Sequence, residues 1–326
     1  MPYSQTRTLY TGAAYLGDLA DGHLAMGLGI GNVYWVIKST EAYYSTFLAD
    51  HQRTYTDGTS AVYTDIQTAL DATVECRNDY VIVQPSDSDY DLTAELTLSK
   101  KNVHLIAPGG FGPVRGSTNA VRIHQTTDGQ MVFRVQDASI EIAGFYVKNY
   151  AGHPAVGLAG TGNPAVAQCP NIHHNMFVCP GNAGDPVITN EIAGNTLNDG
   201  GQWGSIENNW ITVYGTATIP ILVNFHGHAT AARFNYNDIN IGDGITCVIG
   251  VNNQSTKGGV IDNNFYSGGG ASGGAFTHCV QVHASGSAIG NRGTVPDGAL
   301  VVGGTSTYSF SDNVNGTAAG VTDDET

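Results

Sequence analysis

A short phrase recurs through the second half of the chain: Ile172-His173-His174-Asn175-Met176-Phe177, Ile206-Glu207-Asn208-Asn209-Trp210-Ile211, Ala232-Arg233-Phe234-Asn235-Tyr236-Asn237 and Ile261-Asp262-Asn263-Asn264-Phe265-Tyr266. A looser copy ends at Asn291. With Asn175, Asn209, Asn235, Asn264 and Asn291 aligned, the copies lie 34, 26, 29 and 27 residues apart. An imperfect period of this length marks a coil stacked rung upon rung, with loops of varying length. Apolar residues five apart, such as Ile172 with Phe177 and Ile206 with Ile211, are expected to point inward and stack on their equivalents in the next rung. The asparagine marks the corner between them. It tolerates left-handed backbone geometry, and its amide can bond to the asparagine one rung away. Parallel strands made this way need no crossover helix, because the next strand is the next turn of the coil. The expected fold is all-β: a right-handed single-stranded parallel β-helix.

Upstream of the repeats the pattern differs. Asn32 to Ile37 is β-prone, and Thr40 followed by residues 41–48 reads as a short capped helix. Thr64-Asp65-Ile66-Gln67 matches a capping box, so residues 64–73 are expected to form a short amphipathic helix with Ile66, Ala69 and Leu70 on its apolar face. Short strands follow at Tyr80–Val83, around Leu92, Leu96 and Leu98, and at Val103–Ile106. Three regions result: 1–56 as an attachment and oligomerisation region, 57–315 as the β-helix, and 316–326 as an acidic flexible tail.

Charge excludes some partners. Against 28 Asp and Glu stand 13 Lys and Arg, for a net charge of −15, and only Arg233, Lys257 and Arg292 lie beyond residue 150. A nucleic-acid groove needs many more cations, and an anionic membrane surface is disfavoured likewise. No run of 18 apolar residues occurs, and the first residues lack the layout of a secretory signal, so a soluble, unprocessed chain is expected. Five cysteines, an odd number over a long chain, suit buried free thiols better than a disulfide framework.

The run Asp57-Gly58-Thr59, Ile66 to Leu70, Tyr80 to Pro85, Leu96 to Val103 and Leu105 to Gly109 resembles the opening of pectin-lyase-like β-helices, where a short helix plugs the first coil. With the Asn-rich rungs, the resemblance covers residues 57–315. Within that family the chain is most similar to small virion proteins of tailed bacteriophages. That resemblance implies a non-enzymatic structural protein on the virion surface, a decoration or head-fibre-like protein of the capsid. It also implies a homo-oligomer, specifically a trimer, whose partners are capsid or other virion proteins, with a host surface glycan as an alternative. No cofactor is implied. The rival readings are a tailspike-like polysaccharide depolymerase and a host-glycan receptor-binding protein.

Candidate site residues follow. A hydrolase needs two carboxylates flanking a glycosidic bond. Glu207 and Asp262 share a place in the aligned phrase with His173 and Arg233, which makes a column His173, Glu207, Arg233, Asp262. A cation between the carboxylates suits a salt-bridged ladder and spoils a proton donor. The aromatics Tyr10, Tyr15, Tyr34, Trp35, Tyr43, Tyr44 and Phe47 exceed what a small region usually buries, so they are either core or a docking surface. Ser86 to Asp91 could chelate calcium but lacks the glycine and terminal glutamate of an EF-hand loop. Cys169, His173, His174 and Cys179 are chemically apt for zinc, yet alternate residues of a strand face opposite ways. His226 and His228 lie on one face, and three copies on a three-fold axis could hold a transition metal there. The plainer reading is two surface imidazoles.

Overall fold

A computed structural model describes residues 31–108, 120–149, 153–158, 167–180, 186–190, 200–215, 218–225, 231–242, 244–253, 258–267, 275–282 and 286–293, and the strand backbones at 301–303, 309–311, 314–317 and 320–323. Tyr10, Tyr15, His226 and His228 lie outside the described residues.

The chain opens with β1 (Val33–Val36), α1 (Tyr44–His51), β2 (Val62–Tyr63) and α2 (Ile66–Ala72). Successive turns of a coil then follow, each except the last giving one strand to each of three walls. They are β3 (Asp79–Val83), β4 (Tyr90–Leu92) and β5 (Leu96–Leu98); β6 (Val103–Ile106), β7 (Val121–Gln125) and β8 (Phe133–Val135); β9 (Glu141–Ala143), β10 (Phe145–Lys148) and β11 (Val156–Leu158). Next come β12 (Asn171–His173), β13 (Met176–Pro180) and β14 (Ile188–Thr189); β15 (Ser205–Glu207), β16 (Trp210–Tyr214) and β17 (Thr218–Phe225); β18 (Arg233–Asn235), β19 (Asp238–Ile241) and β20 (Thr246–Asn253). The last are β21 (Gly259–Ile261), β22 (Asn264–Ser267) and β23 (Ala275–Val282); β24 (Ser287–Ile289), β25 (Arg292–Gly293) and β26 (Val301–Gly303); then β27 (Ser309–Ser311), β28 (Val314–Thr317) and β29 (Gly320–Asp323).

The first sheet runs β2-β1-β3-β6-β9-β12-β15-β18-β21-β24-β27, the second runs from β4 and β7 in steps of three to β28 and β29, and the third runs from β5 to β26. Among the described residues every strand pairing is parallel except β28 with β29. This is a parallel β-helix. Phe177 pairs with Ile211, Ile211 with Ile239, and Ile239 with Phe265, so these side chains line one axis. Ile172, Ile206, Phe234, Val260 and Ala288 form the matching inward column of the first sheet, and all are buried.

That register corrects the phrase alignment. The ladder asparagines are Asn175, Asn209, Asn237, Asn263 and Asn291. Each amide nitrogen donates to the next Oδ1, at 3.2, 3.0, 3.1 and 3.0 Å. Asn235 instead sits in the outer column of the first sheet opposite Glu207, Asn264 faces out from the second sheet, and Ile261 lies outside the core. Both copies carry two nearby asparagines. In the second, a one-residue slip would turn Val260 outward. In the first, Asn235 and Asn237 are two residues apart and the pairing of Ile206 with Phe234 sets the register.

The corner geometry is also reassigned. The left-handed residue precedes each ladder asparagine: His174, Asn208, Tyr236 and Asp262 have φ of 55, 55, 58 and 52°, with Gly144 and Gly290 at 86 and 68°. A second left-handed column, Asn102, Ser139, Cys169, Trp203 and Ala231, precedes the strands of the same sheet. Corner N–H groups bond to the next rung, as in Ser139 to Gln168 O (2.8 Å) and Tyr236 to Ile261 O (2.9 Å).

The N-terminal boundary moves forward. β1 is hydrogen-bonded to β3 along its whole length, so the coil's first wall begins at Val33, ahead of residue 57. Tyr34 points into the interior; Val33, Trp35, Ile37, Val62 and Ile82 form a second apolar cluster outside the wall, against Tyr44, Phe47 and Leu48 of α1. Thr40 does not cap α1, whose first turn follows Tyr43. The α2 cap is Asp65, which accepts from Thr68 N at 2.7 Å. Gln67 leaves the expected capping box and pairs with the backbone of Thr97 through both ends of its amide. Ile66, Ala69 and Leu70 plug the coil's front end. At the other end, the segment expected to be a flexible tail contributes β29, which turns back antiparallel on β28 at the edge of the second sheet.

Candidate functional site

The densest set of interacting ionisable groups on the outer face of the first sheet spans β3, β6, β9 and β12. Alternation along these short strands turns Tyr80, His104, Glu141 and His173 outward while Val81, Leu105, Ile142 and Ile172 enter the core. Glu141 is held from both sides. His104 Nδ1 donates to Oε2 at 2.5 Å, and His173 Nε2 donates to Oε1 at 2.7 Å. His104 Nε2 lies 2.7 Å from Asn78 Oδ1, and its ring stacks on Tyr80 at 4.2 Å. The outer edge of His173 meets His174, Nδ1 to Nδ1, at 2.8 Å. Burial pushes the Glu141 carboxyl up, but the bonds from His104 and His173 outweigh it and hold it at about 2. His174 is lowered, by partial burial and then by the charge of His173, against the pull of Glu207. The Tyr80 phenol is raised by burial.

The arrangement is a carboxylate bridging two imidazoles across three rungs, with a third imidazole at its solvent end. The two Glu141 oxygens face opposite rings, so each imidazole bonds its own carboxylate oxygen. Among the described residues no group of three His, Cys, Asp or Glu side chains converges as metal ligands.

The expected catalytic column does not form. Glu207 pairs with His173 and Asn235, whereas Arg233 occupies the other outer column between Ser205 and Gly259. Asp262 is a left-handed corner residue after β21. Two rungs place the backbones of Glu207 and Asp262 about 10 Å apart along the axis. Cys179 faces the interior, where burial pushes its thiol up to about 12, while Cys169 is exposed at a corner, so the two do not share a site with His173. Cys247 and Cys279 are buried, and Cys76, like Cys169, is exposed. In the candidate calcium turn, Asp89 is occupied by Arg122 at 2.7 Å and Lys148 at 2.8 Å, and Ser86 donates to Glu41.

Of the docking aromatics, Tyr34 and Trp35 are buried within the fold, Tyr44 and Phe47 are half-buried against the wall, and Tyr43 is exposed with its hydroxyl on Pro85 O. Sequence reasoning missed two others. Trp203 and Tyr236 are more than half exposed and both are held at positive φ, which is uncommon for bulky side chains. They flank adjacent rungs of the first sheet, Trp203 before β15 and Tyr236 after β18. The Glu141 cluster was missed as well. Its members lie 37 and 32 residues apart, and only the coil register brings them together.

Comparison with protein-family models, with curated proteins and with solved structures finds no match for this chain.

Proposed function

We propose that the chain is a non-enzymatic structural protein of a bacteriophage virion, displayed on the capsid surface as a homotrimer and held there by residues ahead of β1. The observation that carries this reading is the buried asparagine ladder running without interruption through five rungs, inside walls that continue from β3 to β26. Such a column keeps its shape as a rod, because each rung is bonded along its length to the next. The net charge of −15 supports solubility on a crowded particle. The resemblance to phage virion proteins supplies the location. The test is gold-labelled antibody against the coil on particles of the encoding phage, alongside light scattering of the purified chain. Label over the capsid and a mass three times 34.1 kDa support the proposal. Label confined to the tail, or a monomer, counts against it.

A second reading, contact with a host surface glycan, is favoured by Trp203 and Tyr236. Strained, exposed aromatics beside outward Ser205, Glu207 and Arg233 suit a hydroxyl-rich ligand with apolar ring faces. Saturable binding to host cells that is lost in Trp203→Ala, with glycan length unchanged, would support it. Shortened glycan would indicate the depolymerase instead.

A further inference from the structure

His173 and His174 meet through like atoms. Two ring nitrogens 2.8 Å apart form a hydrogen bond when one proton lies between them, one ring donating and the other accepting. The opposite edge of His173 is committed, because its Nε2 donates to Glu141 Oε1, and Glu141 is itself pinned by His104 from β6. His173 is therefore fixed in place and orientation. His174 is the freer partner: it is exposed, it stands at a left-handed corner, and its Nδ1 contact with His173 is its one side-chain hydrogen bond among the described residues.

We propose that the His173–His174 pair is a proton-operated latch on the outer face of the first sheet. The latch is closed when His173 carries a proton on both nitrogens, giving Nε2–H to Glu141 and Nδ1–H to the lone pair of His174 Nδ1. A further proton, taken up by His174 Nδ1, places N–H against N–H and charge against charge, and the exposed ring of His174 leaves His173 for the carboxylate of Glu207. The groups that face the pair are Glu141 from β9, His104 from β6 behind it, Tyr80 from β3 stacked on His104, and Glu207 from β15, which lies opposite His173 in the register. Glu141 stays ionised through the mildly acidic range, so it anchors His173 in both states. The charge of His173 and the partial burial of His174 hold the second proton off, while Glu207 favours it. The balance is local and does not depend on how the chain is attached to a particle. Its effect is that mild acid moves one imidazole and adds one positive charge on a strip that otherwise carries Glu141 and Glu207.

The test is a titration of histidine ring signals from pH 8 to 4 in full-length protein labelled at histidine, comparing wild type with His173→Gln, His174→Asn and Glu207→Gln. Asn is chosen at 174 because it tolerates the left-handed backbone. In the wild type, His174 should bind its proton about tenfold more weakly than in His173→Gln, a shift of about one pH unit. Glu207→Gln should move His174 the opposite way from His173→Gln, and ring-to-ring contacts between His173 and His174 should vanish as the second proton binds. Titrations that are unchanged when the neighbour is removed, or ring contacts that persist at pH 4, overturn the latch. If His173→Gln does not fold, the Glu207→Gln shift of His174 and the wild-type ring-to-ring contacts still decide the question.

Discussion

Asn209 shows what one side chain does in this wall. Its amide nitrogen reaches Ile172 O at 2.9 Å, Glu207 O at 3.0 Å and Asn237 Oδ1 at 3.0 Å, and its Oδ1 accepts from both the backbone and the amide of Asn175. Removing it strands groups of three rungs where water is excluded. Each unsatisfied buried group costs about 1–3 kcal/mol. Asn209→Ala should therefore lose about 3 kcal/mol, and amide exchange should quicken first in β12 and β15. Protection that is unchanged there would mean the ladder contributes little. Glu141 gives a pH-dependent counterpart. Its folded value, about 2, lies below its ordinary 4.5. The stabilisation it supplies is therefore complete above about pH 4.5 and is lost as pH falls toward 2. Allowing for solvent screening, this amounts to roughly 2 kcal/mol. Glu141→Gln should melt earlier than wild type at pH 7, and the two should converge near pH 2. A gap of the same size at both pH values would assign the effect to packing instead of charge.

At the scale of the element, strands of the first sheet are short because left-handed residues stand before and after most of them. Every such corner must avoid a clash between Cβ and neighbouring backbone. Gly144 has no alternative: a Cβ there would lie 2.1 Å from Ala107 O in the preceding rung, and its φ is +86°. Gly144→Ala should cost about 3 kcal/mol or more, since the carbonyl of another strand has to shift. Tyr236 has the same left-handed backbone with an exposed ring. Tyr236→Gly relieves about 1 kcal/mol of strain and adds a similar chain-entropy cost, so its stability should stay within about 1 kcal/mol of wild type. Thermal melting of the two variants checks both expectations. A Tyr236→Gly protein as damaged as Gly144→Ala would show that the ring is held for packing, leaving no strain to explain by function.

Over the whole molecule, the sequence disclosed what repeats and hid what depends on register. Inward apolar positions recur at a period that survives loops of any length, so the column was legible. Which asparagine of Asn235 and Asn237 entered the ladder was not, because a two-residue shift keeps Ala232 and Phe234 both facing the core, and only the pairing of Ile206 with Phe234 decides. The bonds of Glu141 to His104 and His173 were invisible because they join separate rungs. The front of the coil was misplaced because β1 pairs with β3 across two helices and the strand β2, so nothing local marks it as the first rung. Its position changes how attachment should be tested. Cutting the chain after residue 55 would remove β1 and α1, unpair the edge of β3 and expose Ile82, and the product should aggregate whatever its role. Deleting residues 1–30 leaves β1, α1 and the buried Asp79, which accepts from Asn32 N, Val74 N and Arg77. That shorter deletion should keep the far-ultraviolet spectrum and melting temperature of the full chain while failing to join particles. Particles that still carry the 1–30 deletion would place the attachment surface on the coil itself, and loss of the melting transition would assign those residues to the fold.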